Sequence, residues 1–122
     1  MNKLCLLAAV FFVGLSACST VSEPVTMKQK YDRAIQYIDE GSYGLATPLL
    51  TSVIDENPGT RYAAYSYLKL GDSLLFSGES KFDEAEMNYR LFLNYTSNSH
   101  LVPYVLSKLI ELNYKRSISA FF

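Results

Sequence analysis

The chain has 122 residues, enough for one small domain. Its 11 Lys and Arg stand against 12 Asp and Glu, so no basic block points to nucleic acid and no acidic tail points to disorder. Ten tyrosines and seven phenylalanines without a tryptophan suit surfaces that are apolar in body and polar at the tip, and Cys5 and Cys18, both near the N-terminus, exclude a disulfide framework for the globular part.

Residues 1–17 read as a secretory signal. Lys3 supplies a minimal positive start, and Leu4 to Leu15 form an apolar run too short to span a bilayer. The run ends in Leu15-Ser16-Ala17-Cys18, which resembles the bacterial lipobox. That resemblance implies acylation of Cys18, which becomes the mature N-terminus, with Cys5 discarded. Residue 19 is Ser and not Asp, which by enteric-type sorting implies the outer membrane, facing the periplasm. Residues 18–25 then form a short polar tether containing Pro24. Two or more acyl chains anchor a protein stably, so the domain is expected to be tethered and not to span.

Residues 26–122 read as helices. The first is expected over Thr26–Asp39, with Thr26 as N-cap, Tyr31, Ala34, Ile35 and Ile38 at helical spacing, and Gly41 past its end. The second is expected over Tyr43–Glu56, with Pro48 distorting its first turns and Asn57-Pro58-Gly59 as the stop. The third begins near Arg61. It carries Tyr67-Leu68-Lys69-Leu70-Gly71-Asp72-Ser73-Leu74, which fits the opening of a tetratricopeptide repeat with Tyr for Trp and Leu for the last Tyr. Gly71 on the third helix and Ala85 on the fourth are the small residues that let the two approach. Tyr67, Leu70, Leu74, Tyr89 and Phe92 are expected to fill the space between them. Glu79-Ser80 reads as an insertion in the turn, and Asp83, Glu84 and Glu86 open the fourth helix at its positive end.

A fifth helix is expected over Leu101–Lys115, with Pro103 in its first turn. The fold class is therefore all-α, a tetratricopeptide-repeat helical solenoid of two full repeats plus the first helix of a third. Repeat spacing is 37 residues from Ala34 to Gly71 and 39 from Ala46 to Ala85, longer than the roughly 34-residue standard. The apolar end Ser119-Ala120-Phe121-Phe122 lacks a capping helix, which implies a truncated product, a fragment, or an end covered by a partner.

No catalytic constellation is visible, so the chain is not expected to be an enzyme. The lone His100 sits in a Ser/Asn turn as a solvated loop residue, with no second His and no free mature Cys for a metal. No cofactor is expected beyond the lipid on Cys18. What remains is a binding surface on the concave face, where first helices of such repeats project. By register, Lys28, Tyr31, Ile35 and Ile38 come from the first unit. Tyr65, Leu68, Asp72 and Leu75 come from the second, and Tyr104, Ser107, Glu111 and Tyr114 from the third. The candidate peptide-binding residues are Tyr31, Ile35, Tyr65, Leu68, Asp72, Tyr104 and Tyr114. Rigid tyrosines of this kind serve as anchors for extended peptides.

With the lipobox, the short tether, Tyr31-Asp32-Arg33-Ala34, Glu40 to Ala46 and Glu56-Asn57-Pro58 in that order, the chain resembles the N-terminal half of the BamD (ComL, YfiO) family. It departs from the family's usual pattern at Tyr95-Thr96 and at Ser99-His100. The resemblance implies a non-catalytic outer-membrane lipoprotein that serves insertion of β-barrel proteins. Its implied partners are a BamA-type barrel insertase, other assembly-machine lipoproteins and unfolded outer-membrane proteins, with no nucleic acid. A pilotin-like repeat lipoprotein supporting pilus or secretin assembly shares the lipobox and the repeats, and is the alternative.

Overall fold

The computed structural model describes residues 25–122, so the signal segment, Cys18 and most of the tether lie outside the described residues. Five helices make up the fold, and there is no strand among the described residues: α1 (Met27–Asp39), α2 (Tyr43–Glu56), α3 (Arg61–Phe76), α4 (Phe82–Tyr95) and α5 (Val102–Ser119). A single 3-10 turn, Glu79–Lys81, occupies the expected insertion between α3 and α4. None of these helices is long and apolar enough to cross a membrane.

Local chemistry sets the helix ends. Thr26 closes a capping box: its Oγ1 accepts from the Gln29 amide at 3.2 Å, and its own amide donates to Gln29 Oε1 at 2.8 Å. At the far end Gly41 has φ +73°, and its amide donates to the Ile38 carbonyl while that of Ser42 donates to Tyr37. These two bonds form a Schellman stop, which needs a left-handed residue and so favours glycine. Thr60 caps α3 through the Ala63 amide at 3.2 Å.

α2 runs over Tyr43–Glu56 as expected, with Pro48 inside it on an exposed face. One expectation is corrected. The fifth helix continues past Lys115 to Ser119, because nothing between those residues breaks it and Arg116 carries its side chain back to α4.

Successive helices run antiparallel, as side-chain ties between opposite ends demonstrate. Lys30 near the start of α1 bonds Glu56 at the end of α2 at 2.6 Å. Tyr43 at the start of α2 stacks on Phe76 at the end of α3, with ring centroids 5.5 Å apart. Arg116 near the end of α5 reaches Asp83 near the start of α4 at 2.8 Å.

The core lies along α3, where Ala63, Ala64, Ser66, Leu68, Leu70, Gly71, Asp72, Ser73, Leu74 and Leu75 are all buried. A helix buried on so many sides must be covered by several neighbours, and α2 and α4 flank it. Ala34, Ala46, Leu50, Phe82, Ala85, Tyr89, Phe92, Val105 and Leu112 complete one continuous cluster drawn from all five helices. The group packed against Gly71 is the ring of Tyr89, while Ala85 is buried nearby in the same cluster. Tyr67 is half-buried, packed against the core and stacked on Tyr95 of α4 with the planes 2° apart.

Candidate functional site

Three tyrosines, from α1, α3 and α5, meet in a single hollow of about 480 Å³. Tyr31 of α1, Tyr65 of α3 and Tyr104 of α5 line it together with Leu68, Lys69, His100 and Leu101. Each ring is held by packing. Tyr31 meets Tyr62 edge-on at 5.4 Å, and Tyr65 lies against buried Phe92 with centroids 6.2 Å apart. The Tyr104 ring has the Lys108 ammonium 5.7 Å from its centroid. Leu68, only 2 % exposed, belongs at once to the core and to the lining of the hollow.

Beneath the hollow sits Asp72, buried on α3. Its Oδ1 accepts two phenolic hydrogen bonds, from Tyr89 at 2.8 Å and from Tyr104 at 3.1 Å. Lys69 stands 3.7 Å from the other carboxylate oxygen. Asp72 is therefore a buttress that ties α3 to α4 and α5 and orients the Tyr104 ring. Burial raises its carboxyl above the ordinary 3.8, while the Tyr89 phenol, the Lys69 ammonium and the Tyr104 phenol pull the other way. Burial pushes the Tyr31 phenol up to about 12, and burial with the Asp72 charge does the same for Tyr104. Both groups stay protonated at neutral pH; the single O–H of Tyr104 is committed to Asp72, while that of Tyr31 can donate a hydrogen bond from the lining.

Not every candidate residue converges. Ile35 lies half-buried on α1 outside the lining, and Tyr114 is 66 % exposed on the outer part of α5. Of the wider register set, Leu75 is core, and Ile38 packs partly buried against the core. Lys28 is paired with Asp32, Ser107 Oγ donates to the Tyr104 carbonyl, and Glu111 is paired with Lys108 and Lys115. Cys18 lies outside the described residues.

Sequence reasoning treated His100 as a solvated loop residue. It is exposed, and it also lines the tyrosine hollow and the larger hollow beside it. Its position directly before a helix start was the only signal in the sequence. Among the described residues no group of His, Cys, Asp and Glu is arranged to hold a metal ion. The arrangement offers aromatic faces, the Tyr31 phenolic donor and an apolar lining, which suit non-covalent capture of an extended chain. No protein family, curated protein or solved structure matches the chain.

Proposed function

We propose that the protein is a tetratricopeptide-repeat lipoprotein whose concave face captures unfolded protein segments for assembly of β-barrel proteins into the outer membrane. The observation that carries this reading is the convergence of Tyr31, Tyr65 and Tyr104 in one hollow. They come from three helices at intervals near the repeat length, as a repeat groove requires. The antiparallel pairs α1/α2 and α3/α4, with α5 opening a third unit, are compatible with a helical repeat. The lipobox ending at Cys18 and the resemblance to the BamD family support the location and the client class. On this reading the lipid holds the domain at the periplasmic face, and the tyrosines act as preformed aromatic anchors.

Three experiments test it. Binding of a labelled peptide rich in aromatic residues to the full chain in detergent should weaken in Tyr65→Ala and Tyr104→Ala, with helicity checked by circular dichroism. Parent-like binding by both folded variants rejects the groove. Photo-cross-linking from Tyr65 in cells should trap nascent barrel proteins and a BamA-type insertase. Capture of pilus or secretin subunits instead moves the protein to the pilotin-like alternative. Replacing Cys18 with Ala should release the protein from membranes, and retention through detergent-free washing rejects the lipid anchor.

A further inference from the structure

The tyrosine hollow opens beside a larger one, of about 610 Å³, and the two share Tyr65 and His100 in their linings. The larger hollow lies between the turn before α3 and the loop joining α4 to α5. Its aromatic side is the stacked pair Tyr67 and Tyr95, with Tyr65 where it meets the groove. Among the described residues, its remaining wall is largely polar, with Arg61 as its only Lys or Arg and no Asp or Glu. Asp55 is felt by the Tyr67 phenol but does not line the hollow.

Arg61 is unusual among the cations. Every described lysine is in an ion pair, as are Arg90 and Arg116, and Arg33 lies over the Tyr37 ring. Arg61 alone among the described lysines and arginines has neither an acidic partner nor an aromatic ring. In a nearly neutral chain, the two adjoining hollows bring together Arg61, Lys69 and His100, and no carboxylate among the described residues lines either.

We infer that the larger hollow receives a carboxylate of the peptide captured in the tyrosine groove, with Arg61 as its recognition residue. The assignment rests on the peptide-groove reading above and gives that groove a direction. An unpaired guanidinium offers forked donors that match a carboxylate. The spacing is set by α3: Arg61 and Tyr65 are one turn apart, about 6 Å along the helix axis. An extended peptide covers that distance in about two residues. The recognised segment therefore carries an aromatic side chain at Tyr65 and a carboxylate about two residues further on. A glutamate or aspartate side chain and a free C-terminus supply the same group.

The experiment uses the full chain in detergent and three labelled peptides of one aromatic sequence. The first has Glu two residues after the aromatic anchor and an amidated end. The second has Gln there and ends in a free acid at that distance. The third has Gln and an amidated end. Fluorescence anisotropy should show either or both acid forms bound roughly tenfold more tightly than the neutral peptide, an advantage that shrinks with added salt. Which acid form gains identifies the source of the carboxylate. Arg61→Gln should erase the advantage while leaving binding of the neutral peptide unchanged. Arg61 is exposed at the first position of α3, so the variant retains the fold, and circular dichroism verifies this. Equal binding of all three peptides by the parent overturns the carboxylate site but leaves the tyrosine groove standing. So does an acid preference that survives in Arg61→Gln. Failure of all three to bind overturns the groove, and the carboxylate site with it.

Discussion

Gly71 and Tyr89 occupy each other's space. A β-carbon on Gly71 would lie 2.6 Å from Tyr89 Cε1 and 2.7 Å from Cδ1, closer than such contacts occur. The ring cannot swing aside, because Tyr89 is fully buried and its hydroxyl is bonded to Asp72 at 2.8 Å. Gly71→Ala gains about 1 kcal/mol of helix propensity. Forcing α3 from α4 costs about 1–3 kcal/mol. With the ring pinned, the cost falls in the upper part of that range, about 2–3 kcal/mol, so the second effect wins and urea denaturation should show a net loss of about 1–2 kcal/mol. A Gly71→Ala variant as stable as the parent would show that α4 yields freely at this contact.

The Asp72 carboxyl imposes a pH dependence. Its folded-state value lies above the ordinary 3.8, with burial as the leading cause. The folded chain therefore holds that proton more tightly than the unfolded chain. The stability from this group is fully present below the unfolded value and is lost as pH rises through the folded one. In Asp72→Asn, both phenols still find an oxygen acceptor and the titration is gone. Relative to Asp72→Asn, the parent should lose stability as pH rises through that window, read by thermal melts across the acid range. Asp72→Ala instead leaves the buried Tyr89 hydroxyl without its partner and should cost about 1–3 kcal/mol at neutral pH.

Docking of α5 should depend on apolar contacts far more than on ion pairs. Val105 and Leu112 are fully buried, whereas the Arg116 side chain is 39 % exposed and its partner Asp83 is 97 % exposed. Leu112→Ala should cost about 2–5 kcal/mol. Arg116→Ala should fall within about 1 kcal/mol of the parent. Denaturant melts of the two variants check this ordering, and the reverse order would make α5 electrostatically held.

Ser66 and Ser73 are fully buried on α3, and neither hydroxyl has a hydrogen-bond partner. A buried hydroxyl without a partner lowers stability, and alanine is also the better helix former. Ser66→Ala and Ser73→Ala should each stabilise the fold by about 1 kcal/mol, seen as a raised denaturation midpoint with unchanged slope. A loss of stability would show that the hydroxyls are satisfied in solution.

Within the groove, the structure separates residues that the repeat register treats alike. Tyr114→Ala should leave affinity for an aromatic peptide within about twofold of the parent, because its side chain stands outside the hollow. Leu68→Ala should lose stability by about 2–5 kcal/mol along with affinity, since that residue is core as well as lining. Paired denaturation and anisotropy measurements separate the two behaviours.

Local signals were enough for most of the helix ends. Thr26, Gly41 and Asn57-Pro58-Gly59 act through bonds to near neighbours, so their effect is written in the residues themselves. The 3.6-residue period likewise marks which faces are apolar, and Leu70, Leu74 and Phe92 are buried accordingly. Periodicity cannot tell how far a neighbouring helix covers a face. Leu68, Asp72 and Tyr114 share one register, yet the first is core, the second a buried buttress and the third solvent-exposed. Arg116 near the end of α5 reaches Asp83 and Glu86 across 33 and 30 residues of chain, a contact no local rule contains. His100 and Arg61 came to the site in the same way. They lie far apart in sequence, and only the antiparallel packing of the helices brings their loops to the same end of the molecule.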